Sequence, residues 1–162
     1  MDQKVVKKLK LNKKFIPCEV DDGDEIFRNG IFQFNISKLI EHLASERSDI
    51  VLSSLNVSEF PYCFSQINEA HIDFVDISKP IIIAEIPPDR YNIIDGNHRV
   101  EKARRAGIET LPCYRLTAEK HLPFLIDVKA YHSYIEYWNS KVCSFKGAAF
   151  ELLDVPVIYL QR

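Results

Sequence analysis

Apolar residues fall along this chain in two rhythms, and the points where one gives way to the other mark its elements. Ile81 to Ile86 is a nearly unbroken β-branched run, which predicts a central strand. Pro87-Pro88-Asp89-Arg90 turns the chain, and Tyr91 to Ile94 is expected to return as the antiparallel partner. From Asn97 to Ala106 the spacing becomes helical, with Val100, Ala103 and Ala106 on the inner face and Gly107 as the stop. Thr110 to Leu116 gives another strand.

The flanks are patterned more weakly. Phe15 to Val20 predicts a short first strand, and Asp21-Asp22-Gly23-Asp24 a turn that lacks the closing glutamate of a calcium loop. Glu25 to Phe34 reads as a hairpin around Asn29-Gly30, a pair that accepts positive φ. Asn35 is placed to cap a helix whose Ile36, Leu39, Ile40 and Leu43 share one face. Leu52 to Phe60 predicts a strand leading to Pro61, and Ile67 to Val75 a second helix or a long loop. Thr117 is positioned to cap a last long helix with Pro123 in its first turns. Phe124, Val128, Tyr131, Ile135, Trp138 and Val142 lie on one side of that helix, an aromatic stripe read as core rather than as a platform for stacked bases. Val155 to Leu160 is expected as a final strand.

Composition narrows the classes. With 46% hydrophobic and 27% charged residues in 162, the chain reads as a single globular domain with a real core. No apolar run approaches the roughly 20 residues that span a bilayer, and no apolar signal core follows the first lysines. Cys18, Cys63, Cys113 and Cys143 are far apart and form no CxxC pair, which favours reduced thiols over a disulfide framework or a zinc site. A net charge of −2 argues against a dedicated DNA-binding protein. Charge is nevertheless uneven: six lysines lie between Lys4 and Lys14, and five acids between Glu19 and Glu25. The reading is a solvated lysine-rich terminus followed by an acidic loop, in preference to a nucleic-acid arm.

The chemistry concentrates at Asp95-Gly96-Asn97-His98-Arg99, where a strand becomes a helix. The first amides of a helix have no partner within it and carry partial positive charge, so such an end accepts anions, phosphate above all. His98 and Arg99 add donors. Taken singly, Asp95 is an ordinary helix cap, His98 a partner for a backbone carbonyl, and Arg99 and Arg105 partners for Glu101 and nearby acids on a wet surface. Together they favour an anion site.

Residues 52 to 116 resemble the ParB/sulfiredoxin superfamily. The likeness rests on Lys79-Pro80-Ile81 before the central strand, on Tyr91-Asn92-Ile93-Ile94-Asp95-Gly96-Asn97-His98-Arg99, and on Ala103, Gly107, Ile108, Glu109, Thr110 and Pro112. It implies an α+β fold, a small mixed sheet packed with helices, within one domain over 1–162. Residues 1–51 would form an N-terminal extension, 52–116 the ParB/sulfiredoxin-like core and 117–162 a C-terminal helical extension. It also implies a nucleotide-phosphate site at the strand-to-helix turn, in a cytoplasmic protein of bacterial type. Members use CTP, ATP or ADP. By position, Gly96 lets backbone approach phosphate, His98 and Arg99 contact its oxygens, Asn97 adds a neutral donor and Lys79 lies at the rim.

Departures from the family limit the activities. Sulfiredoxins carry a reactive cysteine where this chain has Asn97, which argues against thiol chemistry there. About 46 residues follow Leu116, too few for the helix-turn-helix and dimerisation segments of chromosome-partition proteins, so a stand-alone ParB N-terminal-like domain is the reading. Serine kinases of this fold add a glutamate base, a part open here to Glu59 or Glu69. The expected function is binding of a nucleotide or phosphorylated small molecule, with hydrolysis or transfer of a phosphoryl group aided by Mg²⁺. Asp95, His98 and Glu59 are the candidate catalytic residues, and no resident metal ligands are assigned. The alternative is a non-catalytic nucleotide-sensing or partner-binding module, in which the terminal helices serve a partner or a homodimer. DNA binding or cleavage is less favoured, since no paired-carboxylate metal motif is present.

Overall fold

The β-branched run forms β4 (Ile81–Glu85), and all five of its residues are buried in the computed structural model, which describes residues 6–61 and 66–147. Alternation along the strand sends Ile82 and Ala84 into one core and Ile81 and Ile83 into another. A strand filled on both sides belongs in the middle of a sheet. The four-stranded sheet runs β3 (Leu52–Asn56), β6 (Thr110–Leu116), β4, β5 (Tyr91–Asp95). β4 is antiparallel to β5 and parallel to β6, and β6 is antiparallel to β3. The parallel step requires a crossover, which α3 (Asn97–Arg105) supplies, packing Val100 and Ala103 on the sheet.

The other face is covered by a hairpin and helices. β1 (Ile26–Asn29) and β2 (Phe32–Asn35) pair with each other, and α1 (Ile36–Ala44) follows directly. Asn35 caps α1 as expected: its side chain accepts from Lys38 N–H at 3.0 Å. α5 (Val128–Gly147) closes the core with Tyr131, Tyr134, Ile135, Trp138 and Val142. The mixed sheet with helices on both faces is the α+β architecture the sequence predicts.

Several boundaries differ from expectation. Residues 15–20 are not a strand; Cys18 N–H bonds to Leu125 O at 2.8 Å, and Pro17 has no N–H to give. The hairpin turns one residue later than Asn29-Gly30 suggests, with Gly30 at φ +59° and Asn29 still paired with Phe32. The predicted strand over Leu52 to Phe60 stops at Asn56 and passes into a 3-10 turn, Val57–Glu59. Ile67 to Val75, expected as a second helix or a long loop, contains a single helical turn, α2 (Glu69–Ile72). Ile40, Ala106 and Val128 are exposed rather than core.

The last helix is also broken. α4 (Ala118–His121) runs into a 3-10 turn at Leu122–Phe124, and Thr117 makes no side-chain cap. Leu125 then leaves to bridge Phe34, and Asp127 caps α5 by accepting from the amides of Lys129 and Ala130. Pro123 belongs to the short turn, not to the long helix. Tyr134, absent from the predicted stripe, is fully buried. The expected strand at Val155 to Leu160 lies outside the described residues.

Candidate functional site

Asp95 closes β5 and Gly96 opens α3, so the strand-to-helix turn falls where the sequence predicts. Gly96 has φ +98°, a conformation that L side chains resist. A Cβ there would stand 2.7 Å from Ile81 Cγ2 and 2.9 Å from Arg99 Nε and Nη2. Glycine is therefore required twice, for its backbone angle and for the contact of β4 and Arg99 with the turn. It also brings no side chain to cap α3, so the first amides of a nine-residue helix stay open behind it.

Arg99 lies back across Gly96 and donates from Nη2 to Asp95 Oδ2 at 2.5 Å. Both side chains are largely buried, at 14% and 19% exposure. Asp95 is thus neither a helix cap nor a free base; it orients the guanidinium. His98 Nε2 accepts the backbone N–H of Asn68 at 3.0 Å, which places the ring proton of the neutral imidazole on Nδ1. His71 of α2 meets the His98 ring edge-on at 5.4 Å. Asn68 and His71 are site neighbours that sequence reasoning missed, since nothing local ties residues thirty apart.

The remaining cations of α3 are committed elsewhere. Lys102 Nζ donates to the carbonyls of Asp73 and Val75 at 2.8 and 2.9 Å. Arg105 forks onto both oxygens of Glu69 at 2.7 and 2.8 Å, and Arg104 reaches Phe60 O and Glu101. They fasten α2 and the 3-10 turn to α3. The basic character of this helix is therefore largely structural, and Arg99 is its one cation at the N-terminal turn.

Lys79 is exposed and directly precedes Pro80 and β4; Ile81, two residues on, is the residue that touches Gly96. A turn sets this entry, with Asp76 Oδ1 accepting from the amide and hydroxyl of Ser78 and Asp76 O from Lys79 N–H. Those bonds hold the Asp76 carboxyl below its usual range. Glu59 is placed otherwise. It completes a capping box with Asn56 and pairs with Arg115 at 3.1 Å. Arg115 lies over the ring of Tyr91, at the opposite end of β5 from Asp95. Asp95, Gly96, Asn97, His98 and Arg99 are brought together, then, with Lys79 entering at the same corner, while Glu59 sits in a separate polar cluster. Glu69 is bound to Arg105. Among the described residues, no three His, Cys, Asp or Glu side chains gather as metal ligands, and no helix is long and apolar enough to cross a membrane.

A sequence model of the ParB N-terminal domain matches residues 27–122, more than half of the chain. The match takes in the β1–β2 hairpin and α1 as well as the sheet and the turn at Gly96. No curated protein and no solved structure matches the chain.

Proposed function

The chain belongs to the ParB N-terminal domain family, and on that premise we propose that it binds the phosphates of a nucleotide at the N-terminal turn of α3. One observation carries the reading: the helix opens with a glycine at φ +98°, uncapped, with a guanidinium laid against it. Open amides, the helix dipole and a planar cation are the components of a phosphate seat. Arg99 holds Asp95 through Nη2, which leaves its other nitrogens to bond phosphate oxygens without giving up the ion pair. Asn97 adds a neutral donor, His98 offers Nδ1–H, and Lys79 reaches over the rim as a mobile charge. ATP, ADP and CTP are the candidate ligands. With Asp95 the carboxylate at this turn and itself paired, Mg²⁺ would be held mainly by phosphate oxygens and water.

Calorimetric titration with ATP, ADP, CTP and GTP, each with Mg²⁺, tests the reading. At least one is expected to bind, and Arg99→Ala to abolish that binding in a protein that remains folded. Folded wild type that binds none of the four ends the idea. Phosphoryl hydrolysis or transfer is the second reading, in which the Asp95 carboxylate acts by holding the Arg99 guanidinium against the phosphoryl group. It predicts Mg²⁺-dependent phosphate release that Asp95→Asn removes; tight binding with no product over hours favours a sensor instead.

A further inference from the structure

The segment that precedes the matched family domain is neither loose nor complete. Its main chain is fastened along α5 by side chains far away in sequence. Asn139 bonds both N–H and C=O of Leu9, at 2.8 and 2.9 Å. Trp138 Nε1 donates to Lys7 O at 2.9 Å, and the Tyr131 hydroxyl accepts from Asn12 N–H at 2.9 Å. Phe15 stacks on Tyr131 with ring centroids 3.9 Å apart. This fixing determines which side chains face away. Lys7, Lys8, Lys10, Lys13 and Lys14 are all exposed, and among the described residues none has a carboxylate within salt-bridge distance.

Three of the five acids that follow are similarly unmatched. Asp21 pairs with Lys38, and Asp24 is bonded by Asn35. Glu19, Asp22 and Glu25 are exposed, and no cation pairs with them among the described residues. Between the two blocks lies the β-patterned stretch 15–20, which pairs with no strand among the described residues. It leaves Ile16 82% exposed and Val20 50%, with Leu11 at 44% nearby. The order along the segment is thus a cationic block, an apolar centre and an anionic block.

Such a segment is complementary to itself when two copies run antiparallel. We propose that residues 7–25 form an isologous homodimer contact. The lysine block of one copy faces Glu19, Asp22 and Glu25 of the second, and Ile16 and Val20 pack about the twofold axis. A nucleic acid or an anionic membrane would meet the acidic block together with the lysines and be repelled by it. A second copy uses both. The pinned backbone means little ordering is needed on contact. The contact does not involve Gly96 or Arg99, so it stands or falls apart from nucleotide binding.

Charge reversal tests it, read by sedimentation equilibrium on the full chain. Wild type is expected to dimerise, more weakly as salt rises. Lys10→Glu/Lys13→Glu/Lys14→Glu places two acidic surfaces together and Glu19→Lys/Asp22→Lys/Glu25→Lys two basic ones; each variant alone should dimerise at least about tenfold more weakly. Mixed in equal amounts, the two should form a heterodimer, because each then meets its complement at both contacts. Ile16→Asp should weaken wild-type association without lowering the melting temperature at dilutions where both proteins are monomeric, since the residue is exposed. Wild type that stays monomeric at low salt overturns the proposal, including the case in which its lysines instead bind duplex DNA or anionic vesicles. So does a mixture of the two charge variants that fails to associate while each gives a native melting transition.

Discussion

Among the described residues, 17 buried side chains form a single apolar cluster between one face of the four-stranded sheet and the hairpin, α1, α4 and α5; on the other face, nine do. The larger cluster is built from whole aromatic side chains, including Phe34, Tyr134 and Trp138. The smaller holds α3 through Val100 and Ala103, and its remaining attachments are polar: Lys102 to two carbonyls, Arg104 to Phe60 O, Arg105 to Glu69. Burial contributes in proportion to apolar area, whereas exposed ion pairs contribute little. The α5 face therefore carries most of the stability. The α3 face can hold an open turn, an inward-facing arginine and a paired carboxylate because the fold does not depend on it to the same degree.

The largest expected break in this contrast comes from truncating one buried side chain on each face. Phe34, fully buried against α4 and α5, should lose about 3–5 kcal/mol on Phe34→Ala. Val100→Ala beneath α3 should lose about 2 kcal/mol or less, since it removes two methylene equivalents. Urea unfolding of both variants measures the pair. Equal losses, or a larger one at Val100, would contradict the division between the faces.

The second test uses a buried histidine on the α5 face. His121 is fully buried; Nε2 donates to Glu85 O at 2.7 Å, the Tyr134 hydroxyl donates to the same carbonyl, and Nδ1 has no partner among the described residues. Burial pushes its pKa down from 6.5 to about 4. In the unfolded chain the ring protonates first, so folding is opposed as pH falls. The contribution is complete above pH 6.5 and is lost between 6.5 and 4, by about 3 kcal/mol in all, and this group adds no further slope below that. His121→Gln should remove that component of the profile. A wild-type minus variant difference that is flat from pH 7 to 4 would show that the ring is not held neutral.

How far these features were legible in the sequence follows the same division. The run from Ile81 to Leu116 was readable almost to the residue, because a β-branched strand, a Pro-Pro turn, a glycine at each end of α3 and a final alternating strand are local signals that agree. The turn at Gly96 was legible for the same reason. What failed was long-range. Asn139 holding Leu9, Asn68 meeting His98 and Glu59 pairing with Arg115 depend on how distant elements pack, and no periodicity encodes that. The break before α5 was missed because Leu125 leaves to join Phe34, a tertiary pairing that overrides the continuous helical spacing of 118–142. The same holds for the cations of α3: Lys102 and Arg105 hold the α2 region and Arg104 holds Phe60, pairings that only the packing reveals.

A modest change in stability is expected at Gly96, where the contrast between the faces is sharpest. Gly96→Ala forces an L residue to φ +98° and drives its Cβ against Ile81 and Arg99. Strain of this kind costs about 1–3 kcal/mol, and part of it can relax because the guanidinium end of Arg99 is able to swing away. That movement is what makes the variant informative. Displacing Arg99 pulls it from Asp95 and puts a methyl group where an oxygen would approach the first amides of α3. Thermal melting should therefore fall only modestly while nucleotide binding by calorimetry disappears. A variant that melts lower yet binds nucleotide as the wild type does would place the ligand somewhere other than this turn and leave Gly96 a purely structural glycine.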